Sequence, residues 1–170
     1  MIFVTVGTHE QQFDRLIKAV DKLREEKVLE EEVIIQTGYS TYEPKSCVWS
    51  RLYPYQEMVR YVAEARIVIT HGGPSSFIMP LQVGKVPIVV PRQKQFGEHV
   101  NDHQVEFCRA MAERQRNIIV VEEIQSLREV IAKYDSVVMR VDAKQNNNNI
   151  KFIKEFESTV EELMQKGKKK

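Results

Sequence analysis

A run of β-branched residues leads directly into a pair of glycines near the middle of the chain. Residues 67–70 read Ile-Val-Ile-Thr and are followed by His71-Gly72-Gly73-Pro74-Ser75-Ser76. A buried strand that meets two glycines lets the backbone pass close to a ligand, and a proline suits the first turn of a helix. The pattern predicts a strand, a glycine turn and a helix whose N-terminus faces an anion such as a diphosphate. The alternative is an ordinary tight turn.

The same alternation of strand and helix extends over most of the chain. Six apolar runs have the length of strands: residues 2–6, 33–37, 48–53, 67–70, 86–90 and 118–121. Between them apolar residues recur at helical spacing, as at Phe13, Leu16, Ile17 and Val20. Such alternation predicts an α/β fold, with a Rossmann-like, mostly parallel sheet flanked by helices. Ligands gather at the carboxyl ends of parallel strands, so Gly7 and the glycine turn are expected on one edge.

Length, charge and cysteine content limit the classes of protein that the chain can represent. Its 170 residues suit a single domain, residues 1–170, and are too few for two nucleotide-fold domains. The net charge is +1, which gives no case for a nucleic-acid partner. No apolar run reaches the roughly 20 residues of a membrane helix. Two cysteines without metal-ligand spacing and an N-terminus that resembles a core strand favour a cytoplasmic protein.

A second polar segment follows the predicted strand at residues 86–90. It contains Pro91-Arg92 and then Glu98-His99-Val100-Asn101-Asp102-His103-Gln104. A helix that begins near His99 would place Val100 and Gln104 on one inward stripe. A buried amide needs hydrogen-bond partners, so Gln104 is predicted either to bind a ligand or to satisfy a neighbouring loop.

Three other polar residues of this segment carry two interpretations each. Glu98 and Asn101 suit a helix N-terminus, where they would bind a ligand or cap the helix. Arg92 would supply a cation to a phosphate or an acidic sugar, or it would be a solvated loop charge. The residue types alone leave these interpretations open.

Together these segments resemble the C-terminal, nucleotide-sugar-binding domain of glycosyltransferase family 28. The likeness rests on Val6-Gly7-Thr8 with Phe13-Asp14-Arg15-Leu16, on the His71-Gly72-Gly73 turn, on Pro91-Arg92 and on residues 97–104. It is strongest to free-standing subunits of two-subunit transferases, which include bacterial capsule and exopolysaccharide subunits and the catalytic subunit of the dolichol-pathway UDP-N-acetylglucosamine transferase.

This resemblance implies a function and a partner. The expected protein is the donor-binding half of an inverting GT-B glycosyltransferase that moves a hexosyl group from a UDP-sugar to a lipid-linked sugar acceptor. A membrane-anchored subunit would bind the acceptor and recruit this chain to the cytoplasmic face of the membrane. No metal or other cofactor is expected, because no Asp-any-Asp motif follows a strand.

The resemblance also implies a set of site residues. The expected donor-binding residues are Gly7, Thr8, His71, Gly72, Gly73, Pro74, Ser75, Ser76, Arg92, Glu98, His99, Asn101, His103 and Gln104. Gln104, with His103 beside it, would bond sugar hydroxyls, and His71 would contact the nucleotide or close the glycine turn. Met79 stands where many family members place a ribose-binding glutamate. The general base is expected on the partner, with His9 as the local candidate.

The C-terminal region and the remaining functional alternatives complete the expectations. Residues 143–149 are polar and predicted as a linker, and residues 150–165 as a helix that packs on its own domain or contacts the partner. A non-catalytic enhancer subunit of a partner transferase is the main alternative function. A nucleotide-dependent oxidoreductase is disfavoured, because only one glycine follows the first strand.

Overall fold

The computed structural model describes residues 1–145, with side chains described as far as Arg140. The described part contains six parallel strands: β1 Ile2–Thr5, β2 Val33–Gln36, β3 Val48–Ser50, β4 Ile67–His71, β5 Ile88–Val90 and β6 Ile119–Val120. Its α-helices are α1 Asp14–Glu25, α2 Tyr55–Glu64, α3 Pro74–Gln82, α4 His103–Gln115, α5 Leu127–Ala132 and α6 Tyr134–Gln145. Each of the six predicted strands is confirmed.

The strands form one sheet in the order β3-β2-β1-β4-β5-β6. Ile2 of β1 pairs with Val33 on one side and with Ile67 on the other, so β1 and β4 are adjacent at the centre. The chain adds strands outward from β1 in one direction and then returns through α2 to add strands in the other. This reversal creates a crevice at the carboxyl ends of β1 and β4, where doubly wound folds bind ligands.

The core lies on both faces of the central strands. Phe3 of β1 packs in a cluster with Val62 of α2, and Met79 of α3 lies against that cluster. The alternate residues Ile2 and Val4 face the other way and are also fully buried. Burial on both faces explains the continuous apolar runs that predicted the strands.

The start of α4 differs from the expectation. The helix begins at His103 and not near His99, and the preceding Asp102 accepts a hydrogen bond from the Lys94 backbone N–H at 2.8 Å. Val100 is two-thirds exposed and therefore does not belong to the inward stripe, whereas Gln104 is buried as predicted. This hydrogen bond holds the turn before α4. The helical spacing of residues in the sequence does not reveal it.

The chain divides into two compact units, Met1–Asp135 and the part that begins at Ser136. The described part of the second unit is helical as far as Gln145, which includes the first three residues of the expected linker. The rest of that linker and the expected helix at residues 150–165 lie outside the described residues. Within residues 1–145, none of the helices is both long and apolar enough to cross a bilayer.

Candidate functional site

An open cavity of about 550 Å³ lies at the carboxyl ends of β1, β2 and β4, at the point where the strand order reverses. Eight of the sequence-predicted residues line it: Gly7, Thr8, His9, His71, Ser75, Ser76, His99 and Gln104. They come from the first loop (residues 6–13), the end of β4, the start of α3, the second loop (residues 91–102) and α4. The glycine turn and the amide-bearing segment therefore meet at one edge of the sheet, as predicted.

His71 closes the glycine turn. Its Nδ1 accepts the Gly73 backbone N–H at 3.0 Å, so the ring proton resides on Nε2, which lies 2.7 Å from Ser76 Oγ. Burial, reinforced by the positive charge of Arg92, lowers the pKa of His71 to about 4. The imidazole is therefore neutral at pH 7, and of its two predicted roles the structure shows the turn-closing one.

The glycines of the site make room for this imidazole. Gly7 has a φ of +74°, and a Cβ there would lie 2.3 Å from His71 Nε2. A Cβ on Gly73 would lie 2.2 Å from His71 Cε1 on the same ring. Gly72 faces α4, where a Cβ would lie 2.9 Å from the Cys108 sulfur. Any side chain at these positions would displace the ring or the helix.

Helix α3 begins at the cavity wall with Pro74 in its first turn. No side chain among residues 1–140 caps this helix start, and the Ser76 N–H is bonded to the Gly73 carbonyl at 3.0 Å. Ser75 is exposed and lines the cavity. The positive end of the helix dipole and the Ser75 hydroxyl are thus available to an anion in the cavity.

Arg92 differs from both of its predicted roles. Its side chain is fully buried, and its Nη atoms donate to four backbone carbonyls: Val6 at 2.8 Å, Gln11 at 2.9 Å, Gln12 at 3.0 Å and Glu98 at 3.1 Å. The guanidinium thus supplies hydrogen-bond donors to carbonyls of both loops. Arg92 is therefore neither a solvated loop charge nor a direct ligand contact, and it holds the two loops together.

Glu98 is likewise a structural residue and not a cavity residue. It is fully buried, and its carboxylate accepts from Arg15 Nε at 2.8 Å and Arg15 Nη2 at 2.9 Å. It also accepts the Gln93 backbone N–H at 3.0 Å. Because α4 starts at His103, Glu98 does not cap a helix either. The expectation that it holds a ribose or sugar hydroxyl is wrong, because the Glu98 carboxylate is buried and already accepts hydrogen bonds from Arg15 and Gln93.

Of the two roles that its sequence position left open, the structure shows that Gln104 satisfies the neighbouring loop. Its Oε1 accepts the Arg92 backbone N–H at 3.1 Å, which satisfies the second loop. The residue is 6 % exposed and still borders the cavity. The oxygen of this amide is therefore engaged in the fold, and the side chain also borders the cavity.

Three histidines lie in a row beside the cavity, and two of them, His9 and His99, line it. The rings of His9 and His99 stack with centroids 4.8 Å apart, and His103 meets His99 edge-on at 4.5 Å. His103 and Asn101 are exposed, bond each other through Nδ1 and Oδ1, and do not line the cavity. Partial burial and the neighbouring histidines lower the pKa of His99. His103 and Asn101 thus contact His99 without lining the cavity themselves.

Five residues that were not among the predicted site residues also line the cavity: Thr5, Gln36, Met58, Val62 and Met79. Gln36 ends β2, where its Nε2 donates to Thr5 Oγ1 at 3.1 Å. The sequence signal that could have identified Gln36 is a polar residue at the carboxyl end of an apolar strand. Met79 lies with Met58 and Val62 at an apolar end of the cavity, so no carboxylate stands at that position.

Fold and site define this protein as a doubly wound α/β domain with a glycine turn beside the cavity at its switch point. The family model of the glycosyltransferase family 28 C-terminal domain matches residues 1–164. The chain therefore belongs to this family, which supplies the donor-binding half of GT-B enzymes.

Solved structures of glycosyltransferases share this fold. The chain is similar to the calicheamicin glycosyltransferase, with 15% identity and a TM-score of 0.55 over 95% of this chain and 43% of that one. It is also similar to the glycotransferase of kitacinnamycin, with 14% identity and a TM-score of 0.53 over 84% of this chain and 37% of that one. The chain thus spans about two fifths of the length of these structures. No curated protein matches its sequence.

Proposed function

We propose that this chain is the donor-binding subunit of an inverting glycosyltransferase that transfers a hexosyl group from a UDP-sugar to a lipid-linked sugar acceptor. The observation that carries the proposal is the open cavity of about 550 Å³ between Gly7 and the start of α3. This volume is in the range of small-molecule and cofactor sites. The N-terminus of α3 lies at its wall, and no side chain in the described part of the protein caps it.

The diphosphate would lie against the start of α3. The helix dipole and the Ser75 hydroxyl attract it, and the buried cation of Arg92 adds to the positive potential below. Negative charge grows on the departing UDP as its bond to the anomeric carbon breaks. Groups that are already aligned stabilise that charge without reorganisation, so they lower the barrier as well as bind. The proposal requires no metal or other cofactor.

The two ends of the cavity suit different parts of the donor. Met58, Val62 and Met79 make one end apolar, which fits the nucleoside. His9, His99 and Gln104 make the other end polar, which fits the sugar, because its hydroxyls need hydrogen-bond partners when they leave water. The nucleotide-sugar would therefore run from α2 across the glycine turn towards α4.

The acceptor half of the cleft is assigned to a second subunit. GT-B enzymes close their active site between two domains, and this chain corresponds to the donor-binding one. We propose a membrane-anchored partner that binds the lipid-linked acceptor and holds this chain at the cytoplasmic face of the membrane. By resemblance, the pathway is the assembly of a bacterial capsule or exopolysaccharide.

Two measurements test the proposal. Calorimetry on the chain, alone and with its partner, is expected to show binding of UDP and none of NAD. The co-expressed pair, supplied with a panel of UDP-sugars, is expected to transfer one of them, whereas either subunit alone is expected to be inactive. A pair that transfers sugar although this chain binds no UDP would favour the alternative of a non-catalytic enhancer subunit.

A further inference from the structure

Gln11 joins His9 to the second loop. Its Oε1 lies 2.9 Å from His9 Nε2, and its Nε2 donates to the Gly97 carbonyl at 3.4 Å. Its own backbone carbonyl accepts from the buried Arg92 guanidinium at 2.9 Å. The backbone and the side chain of Gln11 are therefore both held, and the amide presents its oxygen to the imidazole.

This arrangement selects one tautomer of His9. Because the amide nitrogen of Gln11 bonds Gly97, the atom that faces the ring is an acceptor, and His9 Nε2 must carry the hydrogen. The lone pair of the neutral ring is then on Nδ1. When Nδ1 takes up a proton, the bond from Nε2 to Gln11 Oε1 remains and strengthens, since its donor becomes charged.

The groups around His9 are mostly neutral at pH 7. The His99 ring stacks on His9, with His103 behind it, and His71 lies across Gly7. Burial lowers the pKa of both His99 and His71, so neither of these neighbours is a cation. Arg92 is a fixed cation joined to the same loop, because its Nη1 is bonded to the Gln11 and Gln12 carbonyls. Glu10, next along the chain, is exposed.

We infer that His9 is the general base of the proposed transfer and that Gln11 is its positioning residue. This inference rests on the proposed function and departs from the expectation that the partner supplies the base. His9 Nδ1 takes the proton of the acceptor hydroxyl as the acceptor oxygen bonds the anomeric carbon. The bond between that carbon and the UDP oxygen breaks, and its electron pair leaves with UDP. The proton then passes from His9 to solvent.

The chain offers a matched control for Gln11. Gln12 is the next residue, and its Nε2 also donates to the second loop, at 3.0 Å from the Phe96 carbonyl. Its Oε1 accepts the Asp14 backbone N–H at 2.7 Å, which a carboxylate would continue to do. Gln12→Glu thus loses a similar link between the loops without changing the partner of His9.

The experiment measures the pH dependence of kcat/KM for the co-expressed pair, with UDP affinity measured separately. We expect His9→Gln to lower kcat by about 10²-fold to 10⁴-fold while UDP affinity changes by less than about threefold. We expect Gln11→Glu to move the acid limb of the profile to higher pH by about one unit, because a carboxylate favours the imidazolium. Gln12→Glu is expected to leave the limb in place.

The outcomes separate the inference from the proposed function. A His9→Gln pair that transfers at the wild-type rate, or an acid limb that does not move in Gln11→Glu, would overturn the assignment of the base while UDP binding persists. Movement of the limb in Gln12→Glu as well would show a general effect of the loop link, and would also overturn it. A wild-type chain that binds no UDP would instead refute the proposed function.

Discussion

The guanidinium of Arg92 donates to the backbone carbonyl of Val6 at 2.8 Å, which joins the loop after β5 to the residue after β1. These residues are 86 positions apart in the sequence. The bond holds the first and second loops against each other at the edge where the cavity lies. The shape of the candidate site therefore depends on a buried cation that lies beneath it.

Removal of this cation should destabilise the protein strongly. Arg92→Leu would leave four loop carbonyls without their donor. We expect the free energy of unfolding to fall by about 3–5 kcal/mol, the usual cost of removing one member of a buried polar network. Urea denaturation measures this change in the free energy of unfolding. Arg109→Leu, which removes an exposed arginine paired with Glu122, is the control and should unfold close to the wild-type midpoint.

Two glycines with nearly the same φ allow the cost of backbone strain to be measured separately from the cost of a steric contact. Gly7 and Gly84 have φ values of +74° and +75°, but only at Gly7 would a Cβ meet another atom, His71 Nε2. Each alanine variant should lose about 1–2 kcal/mol from left-handed strain. Gly7→Ala alone should also abolish UDP binding by displacing His71, as calorimetry can show. Equal UDP affinity in the two variants would contradict the packing argument.

The neutral His71 should make stability depend on pH. Its folded pKa of about 4 lies below the ordinary 6.5, so the unfolded chain binds more protons between these values. Stability should therefore fall as the pH drops from about 6.5 to about 4, by up to about 3 kcal/mol. Denaturant midpoints across this range, compared with a His71→Gln variant, measure the effect. The same slope in the variant would assign it to other groups.

A carboxylate at the start of α3 should separate folding from ligand binding. Ser75→Glu places a negative charge where the helix dipole favours it, so stability should not fall. The same charge should repel a diphosphate, and we expect UDP affinity to drop by at least about tenfold, or about 1.4 kcal/mol. Ser75→Gln, which has the same size without the charge, should bind UDP within about threefold of wild type. Equal affinities in calorimetry would place the diphosphate elsewhere.

Two substitutions at Gln104 should distinguish its structural role from its proposed role in sugar binding. Gln104→Glu keeps an oxygen for the Arg92 N–H and removes the amide donor, whereas Gln104→Ala removes both. We expect only Gln104→Ala to lose stability, by about 1–3 kcal/mol. Both variants should lose at least about tenfold in sugar transfer by the co-expressed pair. Full transfer by Gln104→Glu would limit this residue to holding the loop.

The main features of the site follow from local patterns. The strand that leads into Gly72-Gly73 and the inward Gln104 are predicted from spacing, and parallel strands bring their carboxyl ends together. The roles of Arg92 and Glu98 were not predictable in this way, because both lie in a polar loop whose composition suggests exposure. Glu98 pairs with Arg15, which is 83 positions away. Gln11 was not predicted as a site residue, because its side-chain partner, the Gly97 carbonyl, also belongs to a distant segment.

The sequence by itself determined the alternation of strands and helices, the glycine turn between β4 and α3, and the family. Short-range periodicity and backbone preferences encode the strands, the helices and the turn, and the sequence motifs carry the family resemblance, so all of these are readable without a fold. Only the tertiary structure decided which polar side chains face the cavity and which are buried beneath it. The physical reason is that a buried charge or amide depends on partners from distant segments, such as the Val6 carbonyl for Arg92, and these meet only after folding.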